Sequence, residues 1–435
     1  MSRHGSTEAR CRAGASERTT RAALLQKAAL VGGTVAAGGT FADLALSAPS
    51  PTQDARILNF ALLLEYLSAA FYGEALRRGV LKGELHQFAE IVEAHEQAHV
   101  NFLTKALGPK ARPAPKLDFG RTTRNLKLFV RTAVTLEDTG VGAYNGQATN
   151  LTPATLAAAA KIVSVEARNA AWIRDIAGEG ARGRTRRQAA ERGTRPGGRQ
   201  EHRLRQIVTR EDLRLGDLDR DGALQEAYER LSGSSRADFL RTLTVGGGAL
   251  LAAFAFPSRA GAARGSDADI LNYALTLEYL QASFYTEAEQ LGGLSAKPNS
   301  AARRVGAVER AHVKALRTVL GSKAVKRPRF DFRSTTEIES QFLKTAVAFE
   351  DLAAAAYKAE APKIRSRAYL ASAIAIHSIE ARHAAWMRRL FGIVPVTSAF
   401  DQPLGESEVV RIVNSTRFVV GGIRTTGKGK PPFTG

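Results

Sequence analysis

The chain is written twice. ILNFALLLEYLSAAFY (57–72) matches ILNYALTLEYLQASFY (270–285) at twelve of sixteen positions, at an offset of 213. The same offset aligns EQAH (96–99) with ERAH (309–312), PKLDF (115–119) with PRFDF (328–332), and TAVTLED (132–138) with TAVAFED (345–351). EARNAAW (166–172) then meets EARHAAW (380–386) at 214, one residue having been inserted. A repeat of about 125 residues is far longer than a solenoid unit, so it is a duplicated domain. Whatever fold one copy adopts, the chain of 435 residues must contain it twice.

Alanine and leucine dominate both copies, and runs rich in Val, Ile and Thr are scarce, which favours helices over strands. Each copy reads as four helices, expected near 55–78, 84–107, 122–147 and 153–177, and near 267–291, 298–319, 335–359 and 363–391. Thr152 and Pro153 suit the start of the fourth helix, and Ser334 with Glu337 suggests a capping box for the seventh. LGPKARPAPKLDFG, between the second and third helices, is too rich in proline to be helical throughout. The class is all-α: two four-helix bundles in tandem, each expected to fold on its own.

The divisions follow. Residues 1–53 read as a leader, 54–178 as the first bundle, 179–266 as a linker, 267–392 as the second bundle and 393–435 as a tail with a short amphipathic helix. GEGARGRTRRQAAERGTRPGGRQEHRLR (178–205) has almost no apolar residue to bury, so a disordered basic linker is expected. The tail strip FGIVPVTSAFDQPLGESEVVRIV follows the second copy only. Where the first copy should have its equivalent, the linker begins. A frameshift joining two adjacent reading frames would leave such a junction, and the nucleotide sequence would reveal it.

ERTTRAALLQKAALVGGTVAAGGTFADLALSAPSP (17–51) and SSRADFLRTLTVGGGALLAAFAFPSRAGA (234–262) both place basic residues before a short run of small apolar residues, as export signals do. Both runs are short and glycine-rich for a transmembrane helix. SRADFLR resembles a twin-arginine export motif with Ala237 in place of the second arginine, and TRAALLQ departs in the same way at Ala22. Export to the periplasm, envelope or exterior is the expectation, by a Tat-like route whose motif is degenerate. The plain alternative is two apolar linker helices. The single cysteine, Cys11, permits no internal disulfide.

The net charge is +20, of which the two copies carry only +3 (54–177) and +6 (267–391). A specific nucleic-acid binder concentrates its cations on folded elements. Here much of the excess lies in the leader, linker and tail, so no specific nucleic acid is expected and weak contact with an anionic membrane surface is the residual role.

Chemistry is carried by acidic residues in apolar surroundings. Glu65 (LLLEYL), Glu278 (LTLEYL), Glu137 (VTLED) and Glu350 (VAFED) lie on helices buried on most faces. A carboxylate there needs a metal, an arginine or a proton. The other helices supply Glu96 with His99, Glu309 with His312, and Glu380 with His383, each spaced i, i+3 and so on one face. Two helices giving one Glu each, and two giving Glu-x-x-His, is the ligand set of di-iron and di-manganese carboxylate bundles. The second copy has all six residues: Glu278, Glu309, His312, Glu350, Glu380 and His383. The first has Glu65, Glu96, His99, Glu137 and Glu166, but Asn169 stands where the second histidine belongs. An amide oxygen is a poor substitute for imidazole. His95 points about 100° from Glu96 and is no obvious replacement. A buried carboxylate network without metal remains the competing reading.

With those residues quoted, the chain resembles the ferritin-like superfamily, and within it the desiccation-related ferritin-like proteins of bacteria and plants. The LEYL-type first helix, the EARHAAW-type fourth helix, the leader and the AFDQPL tail carry the resemblance, which leaves out the linker. It implies two ferritin-like bundles, with two Fe or Mn ions in the second and an incomplete site in the first. An oxidoreductase or ferroxidase-type activity, with iron oxidised or sequestered in stress protection, is what it would support. The alternative is a non-enzymatic helical protein of desiccation or envelope stress that kept the fold without metal chemistry. A closed cage fits poorly with two bundles on one chain.

Other features have plainer readings. Tyr72 and Tyr285, seven residues after Glu65 and Glu278, suit core packing, with a hydrogen bond to a ligand carboxylate or electron relay as the sharper alternative. Trp172 and Trp386 read as core anchors, and His377 as an ordinary helix residue, with a position behind Glu380 as its sharper alternative. DLDRDG (217–222) mimics a calcium loop, but Tyr228 stands where a bidentate Glu is needed.

Overall fold

A computed structural model describes residues 49–178 and 266–423. The first signal-like segment up to residue 48, the whole of the second, the Arg/Gly-rich stretch from 179 and DLDRDG lie outside the described residues. Those described form nine α-helices and one isolated antiparallel bridge, Phe330 with Val419. No helix among them is long and apolar enough to cross a membrane.

In the first repeat the helices are α1 (Pro51–Arg78), α2 (Glu84–Leu107), α3 (Leu126–Gln147) and α4 (Pro153–Ile176). The second has α5 (Asp267–Leu291), α6 (Ala296–Leu320), α7 (Glu339–Glu360) and α8 (Arg367–Leu390), and α9 (Glu406–Thr416) follows. Local chemistry sets the ends. Ser50 accepts the amide of Gln53 and Pro51 occupies the first turn of α1, which stops at Gly79 with φ 67°. Ser266 and Asp269 form a reciprocal capping box on α5.

Two expected caps differ. Thr152 does precede α4, but its hydroxyl donates to Asp54 Oδ2 at 2.5 Å, so it ties α4 to the start of α1. Ser334 lies in a 3₁₀ turn, Arg333–Thr336, and α7 begins later, after Ile338, without a side-chain cap. Thr336 is buried there and donates to Glu287 Oε1 at 2.7 Å. Packing on α5 therefore prevails over an early helix start.

Within each repeat the first two helices pair as one hairpin and the last two as another, and the hairpins close into a bundle. The two bundles are not separate beads. α4 packs against α8, flanked by α3 and α7. Leu156, Ile162 and Val163 share one apolar cluster with Leu370, Ile374 and Ile376. The small residues of PATLAAAA and AYLASAIAI let these helices approach closely. Each repeat is expected to fold alone on its own apolar faces; the seam adds that the two also bury apolar surface against one another.

Paired polar bonds cross the seam with an approximate two-fold relation. Arg168 donates to Asp351 Oδ1 at 2.8 Å, and Arg382 lies 3.8 Å from Asp138. Ser378 donates to Asn145 Oδ1 at 2.9 Å. His377 also lies here, fully buried, with Nε2 3.4 Å from the carbonyl of Ala160. Its neighbour is thus the other bundle, not the Glu380 carboxylate. Burial pulls it down to about 3, so it is a neutral seam residue.

After α8 the chain leaves its own bundle. Val394 and Val396 pack into the core around Trp172. Phe400 and Asp401 cross α2 and α4, the amide of Leu404 donates to the carbonyl of Ala355, and α9 returns to bury Val409, Val410 and Val413 in the second bundle. Trp172 is a buried anchor as expected, whereas Trp386 is only partly buried and lies under Arg304.

Candidate metal centre

Glu278, Glu309, Glu350 and Glu380 are all fully buried, each on a different helix of the second bundle. Helical periodicity turns one carboxylate per helix inward, and the i, i+3 spacing adds an imidazole beside two of them. Ligand atoms of Glu278, Glu309, His312 and Glu380 lie within 4.8 Å of one another, and so do those of Glu309, Glu350, Glu380 and His383. The two groups share Glu309 and Glu380. His312 Nδ1 is 3.2 Å from Glu278, 3.3 Å from Glu309 and 3.2 Å from Glu380. His383 Nδ1 is 2.9 Å from Glu309 and 3.4 Å from Glu350.

The first bundle gathers Glu65, Glu96, His99 and Glu166 within the same limit. His99 Nδ1 is 3.2 Å from Glu65, 3.5 Å from Glu96 and 3.1 Å from Glu166. Glu137 is buried on α3 but stands outside that group, held by a hydrogen bond from Tyr72. Asn169 is completely buried and neither amide atom has a hydrogen-bond partner. His95 is buried too, its Nδ1 unpartnered, and joins no ligand group.

Four tyrosines brace the carboxylates. Tyr285 donates to Glu350 Oε1 at 2.5 Å and Tyr357 to Glu278 Oε1 at 2.6 Å; in the first bundle Tyr72 serves Glu137 and Tyr144 serves Glu65 at 2.7 Å. Tyr72 and Tyr285 therefore both pack in the core and hold a carboxylate. Tyr144 and Tyr357 were missed in the sequence, although each follows a helix-three glutamate by the same seven residues. Gln281, one turn after Glu278, donates to Glu380 Oε2 at 3.2 Å. Gly140 makes room for Glu166: a Cβ there would lie 2.7 Å from Glu166 Oε2.

Electrostatics follow from burial first and neighbours second. In the second bundle burial pushes Glu278 up to about 7. Burial, with Glu309 and Glu278 adding to it, pushes Glu380 well above the usual range. Burial opposes charge on His312 as well, but Glu278 and Glu309 outweigh it and raise the imidazole well above its ordinary value. His383 is raised to about 10 because hydrogen bonds and charge from Glu309 and Glu350 overcome its burial. Glu309, despite burial, is held below the carboxylate range by both histidines. Two imidazolium groups thus take the place that cations would fill.

The first bundle has one such imidazolium. Burial raises His99's cost, yet Glu65 and Glu166 lift it well above the ordinary value, and it holds Glu65 low in return. Burial and Glu166 drive Glu96 and Glu137 well up, and burial with Glu65 raises Glu166 to about 7. With Asn169 replacing a histidine, protons must neutralise more of these carboxyls.

The residues fit divalent ions. Both oxygens of Glu309, Oε2 of Glu350, Oε1 of Glu380 and Nδ1 of His383 are buried without an aligned hydrogen bond. Buried polar atoms are almost always satisfied, so the converging oxygens of Glu309, Glu350 and Glu380, which face the imidazoles only off line, mark a place for a cation or proton. Clusters in both bundles could hold metal ions.

No curated protein and no solved structure matches the chain significantly. A family model described as a ferritin-like domain matches it twice, over residues 53–179 and 266–392, together more than half of its length. Two hairpins per bundle, the carboxylates they turn inward and this double match agree: the chain belongs to the ferritin-like domain family, as a tandem pair.

Proposed function

We propose that the chain is an exported metal-binding protein whose second bundle holds two Fe or Mn ions and oxidises or sequesters iron in stress protection. What supports this most is the pair of buried four-residue clusters that share Glu309 and Glu380. Glu309 and Glu380, common to both clusters, would be available to two adjacent ions. Glu278 and His312 would hold one ion, Glu350 and His383 the other. Such a pair, when bound, supplies the redox chemistry for oxidising Fe(II) with oxygen or peroxide. The chain's own part is to exclude water, keep the carboxylates aligned through Tyr285, Tyr357 and Gln281, and release protons from Glu278, Glu380 and both histidines as cations enter. Export rests on the basic-then-apolar segment at 17–51.

Anaerobic loading of the purified full chain with Fe(II) or Mn(II), desalting and elemental analysis tests the reading. Two ions per second bundle are expected, with loss of both classes in Glu309→Gln. A chain that retains no metal leaves only the helical stress-protein alternative. Mass spectrometry of the N-terminus in envelope and cytosolic fractions tests export: a mature protein lacking about the first 50 residues is expected.

A further inference from the structure

The strip that crosses the first bundle lies directly over its ligands. The carbonyl of Ala399 accepts from His99 Nε2 at 2.6 Å. The Phe400 ring meets the His99 ring edge to face, centroids 5.4 Å apart, and leans on Phe102 at 5.3 Å. His99 is left with no exposed side-chain surface.

The strip is anchored by a charge cluster contributed by both bundles. Asp401 accepts from Arg168 Nε at 2.8 Å and Ser164 Oγ at 2.9 Å, lies 3.4 Å from Lys358 Nζ, and donates its amide to the carbonyl of Lys161. Among the described residues this dock is built once. On the opposite side of the seam Arg382 and Ser378 repeat Arg168 and Ser164, but Asn145 stands where Lys358 would, and Ser378 is already bonded to it. Accordingly His312, the counterpart of His99, keeps 9% of its side chain exposed, and its Nε2 meets no hydrogen-bonding protein atom among the described residues.

An imidazole that ligates through one nitrogen is oriented by what its other N–H bonds to. We infer that residues 398–401, in the tail after the second repeat, complete the first bundle's cation site: the Ala399 carbonyl holds the Nε2 proton so that Nδ1 faces Glu65, Glu96 and Glu166, and Phe400 shuts the ring off from water. The first bundle is then a closed, slowly exchanging site for a single divalent ion, and the second an open one. Ala399 is a positioning group; it touches no ion itself. The inference rests on the metal reading above.

The test uses the full chain and Co(II), released by excess chelator and followed by its visible absorption. Wild type is expected to lose cobalt in a fast phase from the second bundle and a slow phase from the first, the slow phase being absent in Glu65→Gln. Phe400→Ala, and separately Asp401→Asn, should weaken the slow site by about 10–100-fold, the usual cost of losing the group behind a metal-bound imidazole, while the fast phase stays unchanged. A slow site whose affinity and release are the same in both variants overturns the inference and leaves the metal reading standing. Cobalt bound by neither bundle overturns the metal reading itself. A metal-free readout stands beside these: the His99 Nε2 proton should exchange slowly with solvent in wild type and rapidly in Phe400→Ala, and equally rapid exchange in wild type would rule the strap contact out.

Discussion

Tyr357 on α7 donates its hydroxyl to Glu278 on α5 at 2.6 Å, and the reciprocal bond runs from Tyr285 to Glu350. Each of these helices therefore supplies the carboxylate that the other's tyrosine holds. Hydrogen bonds to such acidic groups contribute about 1.5–3 kcal/mol. Tyr357→Phe should lower the metal-free stability by about that amount in urea titration, and should weaken cation binding in the second bundle. An unchanged midpoint would mean the bond forms equally well to water or is not made.

His383 and Asn169 occupy matching positions in the two bundles. His383→Asn should remove one of the two ions expected in the second bundle, since Glu309, Glu350 and Glu380 would be left without a nitrogen ligand. Asn169→His should raise occupancy in the first bundle, unless Glu137, held aside by Tyr72, cannot rejoin the group; Asn169→His with Tyr72→Phe separates those outcomes. Metal per chain by elemental analysis is the measurement.

Protons and cations compete for the same groups, and the sign can be worked out. Glu278 is raised from 4.5 to about 7 and His383 from 6.5 to about 10. A group raised on folding stabilises the fold below its unfolded value and loses that contribution as pH climbs through the folded value. Glu278 gives up its share between 4.5 and about 7, His383 between 6.5 and about 10. Metal-free protein should thus weaken as pH rises, while cation binding, which needs deprotonated ligands, strengthens. Thermal melts with and without Mn(II) should show little difference at about pH 5 and a growing one by about pH 8. A metal-induced shift that shrinks with pH would contradict this proton network.

The seam makes a further claim about parts. An isolated first bundle would expose Leu156, Ile162 and Val163 to water. Residues 49–178 and 266–423, expressed separately, should be less stable than the full chain and should re-form a complex when mixed. Size-exclusion chromatography is sufficient; two well-behaved monomers that ignore each other would refute it.

Much of this was readable in advance because duplication exposes its own pattern. Helix bounds from periodicity fell within a few residues of those observed, and the six residues of the candidate ligand set in the second bundle were visible as two Glu-x-x-His pairs and two lone glutamates among apolar neighbours. What escaped was of two kinds. Tyr144 and Tyr357 carry the same seven-residue spacing from a glutamate as Tyr72 and Tyr285, but a tyrosine at that spacing looks the same whether it packs or also donates to a carboxylate. The seam and the strap were not legible at all. An alanine-rich helix face looks the same whether it packs inside a bundle or between two, and nothing in AFDQPL announces that its carbonyl will reach a histidine 300 residues earlier.

The seam is formed by the backs of α4 and α8, and those are the helices that bear Glu166 on one side and Glu380 with His383 on the other. Were a cation to draw one ligand helix inward, the shared cluster of leucines and isoleucines is the contact through which the neighbour would meet that displacement. Linkage makes such an influence mutual: if occupancy of the first bundle alters the second's affinity by some factor, occupancy of the second must alter the first's by the same factor. Duplication has thus set the two ligand-bearing helices back to back, so that any coupling between the halves would have to pass through one apolar seam.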